Sequence, residues 1–124
     1  MLSFKLEVKE KILIQDFFKM RLRDIMDDDR VFKIYVDGTL YFEDVYFPIR
    51  EFIHYALEWS KRPGKDFVYN TIDNEDNPLL AFYKTVEGWK MFSIWQKFGC
   101  DNVFSDGEVE NFVNEIVSQV IEKE

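Results

Sequence analysis

The sequence predicts an α+β domain: an antiparallel sheet of about five or six strands, about two or three helices, and a C-terminal helix packed on the sheet. Three observations lead there. Asp37-Gly38 stands between apolar runs at 31–36 and 39–44 and marks a hairpin. Three more short apolar runs, 66–72, 79–84 and 89–95, are separated by turn residues. The final stretch then carries apolar residues at helical spacing behind a capping sequence. A chain of 124 residues is the usual size of one domain, and no repeat, low-complexity stretch or linker divides 1–124 into more.

Residues 3–9 alternate Phe4, Leu6 and Val8 with Lys5, Glu7 and Lys9, the period of a half-buried strand. From Lys11 to Met26 two patterns compete. Ile14, Phe17, Phe18, Leu22, Ile25 and Met26 fit one helical face, whereas Ile12, Ile14, Phe18, Met20 and Leu22 fit period two. The helical pattern fits better, with its end before Asp27-Asp28-Asp29, a run read as a solvated turn. A type I′ turn at Asp37-Gly38 places Tyr35 opposite Leu40 and Ile34 opposite Tyr41.

Pro48, at a first helical position, opens a helix with Ile49, Phe52, Ile53, Ala56, Leu57 and Ser60 on one stripe. Arg50, Glu51, His54, Glu58 and Lys61 lie opposite, and Pro63-Gly64 stops it. The runs at 66–72, 79–84 and 89–95 form an antiparallel meander around the polar loop 73–78 and a turn at Glu87-Gly88. Apolar groups on both faces of 89–95 place that strand centrally, with Trp89 and Trp95 in the core. Ser105 and Glu108 make a capping box, Phe104 and Val109 a hydrophobic staple. Val109, Phe112, Val113, Ile116, Val117, Val120 and Ile121 supply the buried face.

Composition narrows the function classes. The net charge is −8, and 22 of the residues are aromatic. Residues 1–33 hold eight Lys/Arg against seven Asp/Glu, and residues 34–124 hold eight against seventeen, which gives +1 and −9. That sign opposes phosphate backbones and anionic membranes, so neither nucleic acid nor membrane is the expected partner. No run is long and apolar enough for a bilayer span, and no signal peptide is visible. Cys100 is the sole cysteine, consistent with a reducing cytoplasm.

The catalytic inventory is thin. His54 is the only imidazole, and on a polar helix face, with Arg50, Glu51 and Glu58 one turn away, ion pairing accounts for it. An EF-hand beginning at Asp73 needs Gly at its sixth place and Glu at its twelfth, where the chain has Pro78 and Lys84. One Cys and one His do not make a structural zinc site, and no phosphate-cradling glycine loop occurs. No cofactor is expected. What remains is a candidate partner-binding surface: acidic loops with Asp73, Glu75, Asp76, Asp101 and Asp106, and Tyr69, Tyr83 and Trp95 near them. Acidic groups around aromatic anchors suit a basic protein partner.

The stretch VDGTLYFEDVYFPIREFIHYALEW, followed by DNEDNPLLAFYK and GWKMFSIWQ, resembles small single-domain bacterial proteins of uncharacterised families, some of them similar to immunity proteins encoded beside polymorphic toxins. The likeness runs over residues 31–96 and more weakly through the final helix. It carries no catalytic motif and transfers no functional residue. What it implies is a non-enzymatic cytoplasmic binder that blocks a cognate toxin. Two other readings stand beside it: a small-ligand or carboxylate-based enzyme domain, and a self-associating structural or regulatory subunit.

Overall fold

A computed structural model describes residues 1–62 and 64–123. The first sheet contains β1 (Leu2–Leu6), β3 (Asp29–Val36) and β4 (Thr39–Pro48) in the antiparallel order β1-β3-β4. On β3, Arg30, Phe32, Ile34 and Val36 are buried while the residues between them are more exposed, so the period-two pattern points one face at the core. The Asp37-Gly38 turn has φ of 49° and 83°, both positive as a type I′ turn requires. Tyr35 faces Leu40 as the sequence predicts, but Ile34 faces Phe42 rather than Tyr41. A bulge inserts one extra residue there. It lets both Tyr41 and Phe42 be buried, Tyr41 donating its hydroxyl hydrogen to Gln96 Oε1 at 2.7 Å.

A second irregularity lies between the Phe32–Asp44 and Arg30–Phe47 pairs, where β4 again carries an extra residue. Asp44 Oδ1 accepts the Tyr46 N–H at 2.9 Å, which holds the chain in that shape. Val45 and Tyr46 are thereby turned outward. Asp44 stays on the register of Phe42, the face that β3 uses for its core residues.

Residues 11–26 form neither one helix nor one strand. They divide into β2 (Ile12–Leu13), α1 (Ile14–Phe18) and α2 (Leu22–Ile25), so each competing period is realised for only a few residues. Phe17 and Phe18 are neighbours and cannot share a face; Phe17 is buried and Phe18 exposed. β2 pairs in parallel with β8 (Ile121–Glu122). α3 (Ile49–Ser60) follows β4 without a loop, and Pro48 is its N-cap rather than its first residue. Ile49, Phe52, Ile53 and Ala56 are buried as the stripe predicts, and the buried side chain of the last turn is Trp59 rather than Ser60. Of the predicted Pro63-Gly64 stop, Pro63 lies outside the described residues.

The second sheet is the predicted meander, β5 (Phe67–Tyr69), β6 (Leu80–Thr85) and β7 (Gly88–Phe92). The six antiparallel strands are thus shared between two sheets. β6, not the tryptophan-bearing strand, is central, and β7 is an edge. Trp89 is buried nonetheless because Phe104 exchanges both backbone hydrogen bonds with it, at 2.8 and 2.9 Å, and Trp59 meets its ring at 5.9 Å. Gly88 makes this approach feasible: its φ is +142°, and a Cβ there would lie 2.7 Å from Val103 Cγ1.

α4 (Asp106–Val120) begins as its sequence prescribes, with Ser105 Oγ accepting the Glu108 N–H at 3.1 Å. The other half of the box is diverted. Glu108 Oε2 accepts the Leu2 N–H at 2.7 Å, joining the helix start to β1. Phe112 of α4 lies 5.6 Å from Phe4 and 5.9 Å from Phe82, while Phe52 of α3 meets Phe47 at 5.6 Å and Phe67 at 5.5 Å. These rings join both helices and both sheets into one core, each buried Phe stabilising it by about 1.5–3 kcal/mol. Among the described residues no helix is long and apolar enough to cross a membrane.

Candidate functional site

Between β5 and β6 the chain makes a loop whose shape is set by its own side chains. The Asn77 carboxamide accepts the Thr71 N–H at 2.8 Å and donates to the carbonyls of Asn74, at 2.8 Å, and Thr71, at 3.2 Å. Thr71 Oγ1 accepts the Asp73 N–H, and Asn74 Oδ1 accepts the Asp76 N–H, both at 3.2 Å. The Asn77–Pro78 peptide is cis. Beneath the loop, buried Glu51 accepts the Tyr69 hydroxyl at 2.7 Å and the Ile72 N–H at 3.3 Å. Glu51 therefore belongs to the interior and not to the solvated stripe that helical spacing predicts for it.

The turn after β7 is bound to this loop. Pro78 O accepts the Ile94 N–H at 3.2 Å, and Ser93 Oγ accepts the Trp95 N–H at 3.1 Å. Trp95, predicted as core, is 44% exposed, because the chain leaves the sheet after Phe92 and the alternation of 89–95 ends there. Trp95 lines two clefts. One, of about 330 Å³, is bounded by Glu75, Asp76, Asn77 and Ile94. The other, of about 280 Å³, separates Asp73 and Leu79 from Asp29, Asp44 and Tyr46 of the first sheet.

Electrostatically this surface is one-sided. None of Asp29, Asp44, Asp73, Glu75 and Asp76 forms a side-chain ion pair among the described residues. Burial pushes the Asp44 carboxyl above its usual range, with nearby Asp29 adding to the effect and the Tyr46 N–H opposing it. Asp29 is raised by burial and then by the charges of Asp73, Asp28 and Asp27. The described residues offer no group of three or more His, Cys, Asp or Glu arranged to hold a metal ion.

The predicted site residues are thus divided. Asp73, Glu75, Asp76 and Trp95 come together. Tyr69 is fully buried beneath them, its phenol pushed well up by burial and by the Glu51 carboxylate. Tyr83, Asp101 and Asp106 line neither cleft. Tyr83 pairs with Lys90 in the second sheet, and the Asp101 carbonyl accepts the Lys90 ammonium at 3.2 Å. Asp106 accepts the Trp89 indole N–H at 2.6 Å and pairs with Lys84. Those two bonds hold its carboxyl below the usual range.

Sequence reasoning missed Asp29, Asp44 and Tyr46. Asp29 belongs to the aspartate run taken as solvated, and only one member of that run breaks the expectation outright. Asp28 is buried, bridged by Arg30 Nε at 3.0 Å and Nη2 at 2.9 Å, by Arg50 Nε at 3.0 Å and by Lys9 Nζ at 3.4 Å. His54 also departs from its expected solvated face. It is half-buried with its ring 4.5 Å from that of Phe17, and burial pushes its pKa down. Of its expected partners, Arg50 and Glu51 are engaged by Asp28 and Tyr69, and the charge of Glu58 acts on the imidazole against the effect of burial.

A family model described as a domain of unknown function (DUF7878) matches residues 2–123. No curated protein and no solved structure matches the chain.

Proposed function

The chain belongs to the DUF7878 family, a membership that fixes no activity, and from the surface around Trp95 we propose a protein-binding domain that docks a basic partner, in the manner of an immunity protein covering a cationic effector. One observation carries this reading: a half-exposed tryptophan on a hydrogen-bonded frame, sharing its clefts with five carboxylates that form no ion pair among the described residues. Ordering such a surface costs little on binding, because its loop is already held. A cationic partner would pair with carboxylates that have no ion pair among the described residues, and the indole is a residue type that dominates interface energies.

The test mixes the chain with the basic product of the gene beside its own. The expected result is a complex at low micromolar concentration or below, weakened by added salt. Trp95→Ala should weaken it by roughly 30-fold or more, the size of a hot spot. Absence of a complex, or one indifferent to both salt and Trp95→Ala, overturns the proposal. A second reading, a small-ligand or carboxylate-based enzyme site, is favoured by Asp44, whose carboxyl is raised by burial inside an aromatic cleft. It requires that Asp44→Asn abolish ligand binding or turnover.

A further inference from the structure

The docking surface proposed above has a recess, and we infer that the cleft between Asp29, Asp44 and Asp73 receives an arginine side chain of the partner, its guanidinium lying against the Trp95 indole. The inference rests on that docking reading and names what enters the surface.

Three properties select this occupant. First, the cleft is lined by three carboxylates and two aromatic rings. Asp29 and Asp44 come from the first sheet, Asp73 from the loop across it, and Trp95 and Tyr46 also line it. A planar cation satisfies carboxylates and a ring together, through N–H···O bonds at its edge and cation–π attraction at its face. Second, these carboxylates do not form a metal-binding group, and a cleft of about 280 Å³ greatly exceeds the roughly 30 Å³ of one water. An extended cation with donors pointing several ways fits better than a bare ion.

Third, the acceptors have lone pairs to spare. Among the described residues the Asp44 carboxylate accepts one hydrogen bond, from the Tyr46 N–H, and the Asp73 side chain accepts none. Lys9 gives its ammonium to the Asp28 carboxylate and the Asp29 carbonyl, so its charge acts on the Asp29 carboxylate without forming an ion pair with it. Lysine is the weaker candidate, because its ammonium is compact, strongly hydrated and unable to stack.

The probe is arginine with both ends blocked, N-acetyl-arginine methylamide, titrated into the full chain beside its lysine counterpart. Trp59 and Trp89 are buried and Trp95 is exposed, so changes in indole fluorescence that disappear in Trp95→Phe report on the cleft. Amide NMR shifts at Asp44, Tyr46, Thr71 and Asp73 give a second readout. The expected result is saturable binding in the millimolar range, at least threefold tighter for arginine than for lysine and weakened at least tenfold by Asp44→Asn with Asp73→Asn. Equal or unsaturable responses to both probes, or indifference to that double change, overturn the inference. The docking reading is judged separately. A partner complex that needs Trp95, Glu75 and Asp76 but not Asp44 and Asp73 keeps the docking surface and removes the arginine site. Saturation by arginine with no partner complex does the reverse.

Discussion

Asp28→Asn tests the ionic anchor beneath the site. Asp28 is 4% exposed and Arg30 1%, and the guanidinium reaches both carboxylate oxygens, at 3.0 and 2.9 Å, with Arg50 adding a third bond at 3.0 Å. An amide keeps the shape and loses the charge, so the Arg30 guanidinium stays buried without a counter-ion. Breaking a buried pair from one side costs about 3–5 kcal/mol. With an unfolding entropy of about 2.1 cal/mol/K per residue, a chain of this length loses roughly 12–19 °C in Tm. The assay is thermal and urea unfolding at pH 7 and again near pH 2.

The pH dependence has a definite sign. Burial alone would raise the Asp28 pKa, but the bonds from Arg30 and the charges of Arg30 and Arg50 outweigh it and hold the carboxyl below the ordinary 3.8. A depressed folded pKa adds stability above the unfolded value and loses it as pH falls through the folded one. The cost of Asp28→Asn should therefore shrink as pH falls through the folded pKa, where the native carboxyl takes up its proton. A companion variant, Asp28→Leu with Arg30→Met, should be more stable than Asp28→Leu alone, because it removes the orphaned charge. A loss under about 1 kcal/mol at pH 7, the value of an exposed pair, or a loss equal at both pH values, would refute the reasoning.

Asp44→Asn should raise the urea midpoint at pH 7, because burial lifts the folded pKa above 3.8 and the ionised form opposes folding. That penalty is absent below the unfolded pKa and grows as pH rises through the folded one, so the gain should vanish at pH 3; a loss at pH 7 contradicts it. Glu51→Ala takes the acceptor from the Ile72 N–H and leaves the Tyr69 hydroxyl with its long 3.5 Å bond to the Pro48 carbonyl, at about 1–3 kcal/mol in stability. Hydrogen exchange should quicken first at Ile72 and the loop behind it, and unchanged protection there would show that Glu51 does not hold the loop.

Local chemistry was the legible part of this chain. The Asp37-Gly38 turn, the Ser105 cap and the apolar faces of α3 and α4 each depend on residues a few positions apart. Burial of charge depends on distant partners. Glu51 lies inside because Tyr69, eighteen residues on, places a hydroxyl over it, and Asp28 does so in part because Arg50, twenty-two residues on, reaches back. Neither distance leaves a period in the sequence. The acidic loop and Trp95 could be named as site residues, but the opposite wall could not. Two bulges shift the parity of β4, so strict alternation misassigns which of Tyr41, Phe42, Asp44 and Tyr46 face the core.

The buried ions also explain why the carboxylates of the cleft have no ion pairs among the described residues. Lys9, Arg30 and Arg50 are the basic side chains around the aspartate run, and all three converge on Asp28. Arg50 further donates to the Asp24 carbonyl at 2.8 Å, and the Ile49 N–H reaches the Asp28 carbonyl at 3.3 Å, so the cluster also joins α2, β3 and the start of α3. One buried carboxylate thus takes the local cations for structure. Asp29, its neighbour on the exposed side, is left facing Asp44 and Asp73. Neutralising Asp28 would release Lys9 toward Asp29, so the variant that weakens the fold should also weaken attraction of a cationic partner, with Trp95 itself untouched.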